Sequence, residues 1–327
     1  MTKPYLGVWR AENPLVSVII LNYNGARFIQ KCLNSVLNDS YYPKEVLFVD
    51  NASSDHSVQM ALEYQEFITI VQNPQNYGFP KGCNAGIEVA RGEIIVLLNI
   101  DTAVREGWLD GLIQPMLDDP TIGMTGSKLL FLDGKTIQFA GGRMEPNCLT
   151  THEGYCFEDL GEFNEPREVE YLTGASVAIR RELLEKVGNL DEAFPLYYDD
   201  LDLSFQAHKL GYKVMYQPQS VVLHFETFGT PKNSFKYFYK YHRGRMRFLL
   251  KNMGVLYFFG TFLPAELRWY RRCQFRQQFP PCFCAYCTQF PKAPWLWLKG
   301  FFRRRRFYKR EQIHQPEIHP GLDETMM

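Results

Sequence analysis

Val16-Ser17-Val18-Ile19-Ile20-Leu21-Asn22-Tyr23-Asn24 is the stretch on which the fold turns. Its first six residues carry no charge and are mostly β-branched, which reads as a strand buried on both faces. The apolar run then stops on two amides and a phenol. Directly afterwards, Arg27 to Leu37 places Phe28, Cys32, Leu33 and Val36 at helical spacing, so the strand feeds a helix. The unit recurs. Glu45 to Val49 is a second strand, followed by a helix starting near Ser54. Phe67 to Val71 is a third strand. Ile94 to Leu98 is a fourth, preceded by a helix over Gly82 to Ala90. Strands separated by helices need crossover connections, and therefore a mainly parallel, mixed sheet in an α/β fold.

In such sheets ligands bind beyond the carboxyl ends of the strands. Those ends are Asn22-Tyr23-Asn24, Asp50-Asn51 and Asn99-Ile100-Asp101, all polar where an apolar run stops. Farther on, Gly123 to Gly142 is less regular and Glu153 to Arg167 reads as a long acidic loop. Order returns at Tyr171-Leu172-Thr173-Gly174-Ala175-Ser176. A short helix from Arg181, a helix from about Asp199 to Leu210, and strands near Tyr212–Tyr216 and Ser220–Phe225 follow. There is no internal repeat and no low-complexity tract.

The chain is neutral only by cancellation. Residues 1–230 hold 17 basic against 31 acidic side chains, whereas residues 231–310 hold 19 basic against one acid, Glu266. Composition also turns aromatic after Pro231. We therefore divide the chain into a catalytic domain, residues 1–230, and a basic, aromatic, helical extension, residues 231–327. The first residues, to Asn13, lack the apolar stretch of a signal peptide. No apolar run reaches the roughly 20 residues of a membrane-spanning helix. The expectation is a cytoplasmic protein whose eight cysteines are thiols. Cys273, Cys282, Cys284 and Cys287 crowd together, but irregularly and with no histidine among them. Zinc binding and buried thiols both stay open.

Three acidic clusters carry the chemical signal. Asp50-Asn51-Ala52-Ser53-Ser54-Asp55 offers a carboxylate to a base or ribose and a helix start to phosphate, although Ser and Asp also make ordinary caps. Asn99-Ile100-Asp101 offers oxygen ligands to a hard divalent cation, or a cap to the next helix. Asp199-Asp200-Leu201-Asp202 puts three carboxylates within four positions, after the aromatic run Phe194 to Tyr198. A helix N-terminus tolerates such charge, but a carboxylate among aromatics also suits a general base. His224 ends the last strand.

Taken together these segments resemble the family 2 glycosyltransferases with their GT-A fold, from about Val16 to Thr230. Val16 to Asn24 looks like the family's opening strand, and Val49 to Asp55 like its nucleoside-binding turn. Asn76-Tyr77-Gly78-Phe79-Pro80-Lys81-Gly82-Cys83-Asn84-Ala85-Gly86 looks like the stretch lining the donor pocket. Asn99-Ile100-Asp101 stands where the family carries its metal-binding Asp-x-Asp. Thr173-Gly174-Ala175 matches an acceptor-side loop, and Asp199-Asp200-Leu201-Asp202 matches the base motif. His224 matches a histidine that joins the metal in some members.

The resemblance implies a nucleotide-sugar site of Asn22, Tyr23, Asn24, Asp50, Asn51, Ser53, Asp55, Asn76, Gly78, Phe79, Asn84 and Asn99. It implies Mn²⁺ or Mg²⁺ on Asp101 and His224, catalysis by Asp200 with Asp199 beside it, and acceptor contacts at Thr173, Gly174, Ala175 and Asp202. Asn99 in place of the first Asp resembles the rhamnosyltransferase and galactofuranosyltransferase branch. Ala265-Glu266-Leu267-Arg268-Trp269 departs from the Gln-x-x-Arg-Trp of processive synthases. The implied reaction is inverting transfer of one sugar from a UDP- or dTDP-sugar to a lipid-linked glycan acceptor. A sugar nucleotidyltransferase would carry a Gly-rich loop with a basic residue after the first strand, where Asn22 to Arg27 has one Gly. A non-catalytic nucleotide-sugar-binding module is the other alternative. In the extension, aromatics beside Lys and Arg, ending in Arg303-Arg304-Arg305-Arg306, suit an anionic membrane surface, and a plain helical extension packed on the catalytic domain is the alternative. No nucleic-acid motif accompanies them.

Overall fold

The computed structural model describes residues 13–194, 196–225, 233–273 and 276–297. The opening residues 1–12 and the Arg303–Arg306 run, on which expectations were placed, lie outside them.

The first half alternates as its sequence predicts: β1 (Val16–Asn22), α1 (Ile29–Asn38), β2 (Lys44–Asp50), α2 (Ser57–Leu62), β3 (Thr69–Gln72), α3 (Phe79–Val89) and β4 (Ile94–Asn99). Strands β3, β2, β1 and β4 are neighbours in that order and run parallel. Helix α1 buries Ile29, Cys32, Leu33 and Val36, its apolar stripe. Helix α3 lies close on the sheet because it turns glycines toward it. A Cβ at Gly86 would stand 2.6 Å from Ile19 Cγ2, and one at Gly82 would stand 2.7 Å from Leu21 Cδ1.

The second half contains β5 (Thr102–Val104), α4 (Trp108–Asp118), β6 (Ile122–Leu130), β7 (Ile137–Phe139), β8 (Gly142–Met144), β9 (Thr150–His152), β10 (Arg167–Glu168), β11 (Ser176–Arg180), α5 (Arg181–Val187), α6 (Asp199–Lys209) and β12 (Lys213–His224). The main sheet runs β10-β12-β6-β11-β4-β1-β2-β3. Strand β11 is antiparallel to β4 and β6, while β12 is parallel to β6. Two expectations are corrected here. The strands read near Tyr212–Tyr216 and Ser220–Phe225 are one strand, β12, whose register on β6 slips between Gln217 and Val221. The stretch from Gly123, read as irregular, holds the fully buried β6. Its glycines and polar residues hide it, yet Gly126 is needed because Leu172 occupies the space a Cβ would fill. Helix α4 escaped notice because Gly107, Gly111 and Pro115 break its pattern, although it buries Trp108, Leu109, Leu112, Ile113 and Met116.

After the composition change come α7 (Phe235–Asn252), α8 (Val255–Tyr257), a π-turn over Phe258–Phe262, α9 (Leu263–Arg272) and α10 (Phe279–Gln289). Ser234 caps α7 by accepting from the Tyr237 N–H. Met246, Phe248 and Leu249 of α7 belong to the same core as the sheet. The boundary in composition is therefore not a gap in packing. Glu266, the lone acid of residues 231–310, is buried and grips Arg245 through two hydrogen bonds of 3.1 and 2.6 Å. It also accepts from Asn147 at 2.8 Å. No helix among the described residues is long and apolar enough to cross a membrane.

Candidate active site

Strand register gathers the polar strand ends. Asn22 lies opposite Asp50, and Leu21 lies opposite Asn99. Asp50 is buried and accepts from Asn22 Nδ2 at 2.8 Å and from the Ser53 N–H at 3.0 Å. Asn22 Oδ1 faces Gly25, where a Cβ would stand 2.3 Å away, so only glycine fits. The turns after β1 and β2 interlock. Asn24, in the left-handed region at φ 55°, donates its N–H to Ser53 Oγ and accepts from the Ser54 N–H. Asp55 accepts the Ala26 N–H at 3.0 Å. Burial opposes its ionisation, but the Ser57 hydroxyl and the Ala26 N–H win and lower its pKa. Tyr23 turns its ring outward.

Asn51 ties this platform to α3 by donating to the Gly78 carbonyl at 2.9 Å. Asn76 accepts the Gly78 N–H at 2.8 Å, and Gly78, at φ 77°, opens α3 so that Phe79 begins it. The Phe79 ring reaches the Thr173-Gly174-Ala175 loop, where a Cβ on Gly174 would stand 3.0 Å from it.

At the end of β4, Asp101 and His224 meet. Asp101 Oδ1 lies 3.3 Å from His224 Nε2, and both side chains are nearly buried. Gln138 Oε1, an acceptor, is 2.6 Å from His224 Nδ1, so Nδ1 donates there and Nε2 is the ring nitrogen turned to the Asp101 carboxylate. The pair is an ion pair when the ring is protonated, and two donors for a shared cation when it is neutral. Cis ligands of an octahedral ion at ~2.1 Å are about 3.0 Å apart, close to this spacing. Among the described residues no three His, Cys, Asp or Glu side chains converge on one point. A cation here would complete its shell with phosphate oxygens and water, as Mg²⁺ commonly does. The four cysteines of the extension form no such cluster either; Cys282 is buried against Arg245, and Cys287 is exposed.

The Asn99 N–H donates to the Ala175 carbonyl at 3.1 Å, and the Gly174 N–H reaches Asp200 Oδ2 at 3.4 Å. Thr173 Oγ1 accepts the Ala175 N–H. One short loop thus joins the end of β4 to the acidic motif. Burial raises the Asp200 pKa, against the N–H groups of Leu201 and Gly174. Burial also raises Asp199 well above its ordinary value, helped by the charges of Asp200 and Asp202. Of the two, Asp200 is the half-exposed one and Asp199 the buried one.

Two expected residues are committed elsewhere. Asn84 donates to the Leu190 carbonyl and Glu192, and accepts the Leu190 N–H, a strut between α3 and the loop before α6. Asp202 is buried and accepts from Lys251 Nζ at 2.6 Å and Asn252 Nδ2 at 2.7 Å, tying α6 to α7. The sequence reading missed Gln138, which lies in the stretch taken as irregular. The seating of α7 against the Tyr197–Tyr198 turn has one sequence signal, a glycine amid bulky residues, Arg243-Gly244-Arg245.

The model of glycosyl transferase family 2 matches residues 17–188. The O-antigen biosynthesis protein RfbC of Myxococcus xanthus is 30% identical over 226 residues, 65% of this chain but 17% of that protein's length. The N-acetylglucosaminyl-diphospho-decaprenol L-rhamnosyltransferase of Mycobacterium tuberculosis is 24% identical over 72% of this chain and 84% of its own. The mannosyltransferase PcManGT of Pyrobaculum calidifontis, solved with GDP-Man and Mn²⁺, superposes with a TM-score of 0.55 at 20% identity, over 95% of this chain and 86% of that one. The fold is that of the GT-A glycosyltransferases, and the chain belongs to glycosyl transferase family 2.

Proposed function

We propose, with that membership as premise, that the chain transfers one sugar with inversion from a UDP- or dTDP-sugar to a glycan acceptor. The observation that carries the reading is the Gly174 loop, which touches Phe79 on the donor side and Asp200 on the other. Asn22, Asp50 and the interlocked turns around Ser53 and Asp55 would hold the nucleoside. Asp101 and His224 would hold a divalent cation, which when bound supplies positive charge to the leaving diphosphate. Asp200 takes the proton of the acceptor hydroxyl. That oxygen forms the new bond to the anomeric carbon, and the bond to the diphosphate oxygen breaks with its electron pair leaving on the diphosphate. The raised pKa of Asp200 makes it a better base than a solvated carboxylate.

The sugar is of the rhamnose or galactofuranose type or another hexose, and the acceptor is lipid-linked in cell-surface polysaccharide synthesis, at an anionic membrane surface. The mycobacterial relative's name, which specifies a diphospho-decaprenol carrier and L-rhamnose, supports this. Incubation with a panel of nucleotide sugars tests the activity. Release of the nucleoside diphosphate is expected. Release of pyrophosphate would make the protein a nucleotidyltransferase, and silence across the panel a binding module.

A further inference from the structure

The helix that runs from Val255 through the π-turn to Arg272 has two unlike sides. Phe262 and Glu266 are buried against the rest of the extension. On its outward side Leu256, Phe259, Leu263 and Leu267 recur at spacings of three and four, with Val255 beside Leu256, and all are exposed, Leu256 by 90% and Phe259 by 62%. A lone exposed leucine is ordinary, but a contiguous stripe three turns long marks a binding surface. Exposed Arg268, Arg271 and Arg272 carry the stripe on. Glu266 is the one acid between residues 233 and 297, and it is buried on Arg245. The described surface of these helices therefore presents apolar and basic groups and no carboxylate side chain.

We propose that this outer face docks on an anionic lipid surface, with the Leu256–Leu267 stripe entering the headgroup boundary and Arg268, Arg271 and Arg272 at the phosphates. A lipid interface is the partner that sets an apolar layer beside an anionic one. Nucleic acid offers the anionic layer alone. A second copy of the chain would cover the apolar stripe but, with no exposed carboxylate on these helices, would offer the arginines no partner there. The face is also wired to the base. Tyr257, beside Leu256, donates to the Pro146 carbonyl at 2.9 Å, and Cys148, two residues on, accepts from Tyr198, which precedes Asp199 and Asp200. The proposal deepens the reading above and rests on it for the arrival of a lipid-linked acceptor.

The test uses the full chain and vesicles of phosphatidylglycerol with phosphatidylcholine. Phe259→Trp should gain fluorescence that brominated acyl chains quench beyond the quenching of the wild type. Leu256→Glu with Phe259→Glu should weaken vesicle affinity about tenfold or more, with melting temperature and nucleoside diphosphate calorimetry unchanged. Equal vesicle binding by the double variant, or no added quenching, overturns the proposal, because another basic segment would then account for attraction. A dimer in gel filtration that the double variant dissolves also overturns it, in favour of a second copy. Failure of the wild type to bind any nucleoside diphosphate would sink the sugar-transfer reading and leave the vesicle result standing.

Discussion

Gly244 on α7 faces the Tyr197 carbonyl so closely that a Cβ there would stand 2.9 Å from its oxygen and 3.1 Å from Tyr198 Cδ2. Tyr197 and Tyr198 both adopt left-handed backbone, at φ 67° and 70°, where a non-glycine residue is strained by about 1–2 kcal/mol. What holds them is packing. The Tyr198 hydroxyl donates to the Cys148 carbonyl at 2.7 Å, and its ring meets Tyr241 of α7 edge to face at 5.2 Å. These two tyrosines launch α6, and therefore aim Asp199 and Asp200. Helix α7 thus buttresses the turn from which the acidic motif starts.

Gly244→Ala tests that coupling. In an exposed helix the change would add up to ~1 kcal/mol of helix propensity. Here the new Cβ must displace the tyrosine loop, so kcat should fall about tenfold or more while nucleotide affinity stays level. An unchanged kcat would reduce α7 to a scaffold.

Asp200→Asn should lower kcat on the order of 10²-fold or more with nucleotide affinity nearly intact. The pH profile carries a sign as well. The base works ionised and burial raises its pKa, so kcat should fall on acidification with a midpoint above the ordinary 3.8. A limb at or below that value would move the role away from Asp200.

Asp191 gives an acid-stability prediction. Burial works against its charge, but Lys251 and Arg247 draw its pKa down to about 2. A depressed carboxyl contributes stability above its unfolded value of 3.8, lost as pH falls toward 2. Its side chain is 23% exposed, so we expect about 1–2 kcal/mol after screening. Asp191→Asn should lose that much in urea titrations at neutral pH and show a flatter acid limb. Equal stability at neutral pH would mean that the pair is fully screened.

How much of this was legible follows from period and partner. The run Val16–Leu21 and the stripe Phe28, Cys32, Leu33, Val36 repeat at distances a sequence displays, so the parallel half could be read directly. Strand β6 and helix α4 could not, because Gly123 and Gly126 answer to tertiary neighbours rather than to local period, and Pro115 sits inside α4 as an ordinary helix breaker. The acidic motif was visible, but the separate fates of its members were not. Asp202 is claimed by Lys251 and Asn252, some fifty residues later, and no local pattern announces that pairing.

Glu266→Gln tests the buried pair with Arg245. Removing one member leaves an uncompensated charge, at a cost of about 3–5 kcal/mol. Replacing both residues by apolar ones should recover much of that loss. A mild effect of the single change, read by denaturant titration, would show that water reaches Arg245.

The most direct measurement of the central claim is calorimetric titration of UDP, dTDP and GDP into the wild type and Asp101→Ala, with Mn²⁺ or Mg²⁺ and with chelator. The account predicts that the wild type binds a uridine or thymidine diphosphate tightly only with the cation, and that Asp101→Ala removes the cation's effect. Binding equally tight in chelator, or unchanged in the variant, would contradict a divalent cation held by Asp101 and His224 against the leaving diphosphate.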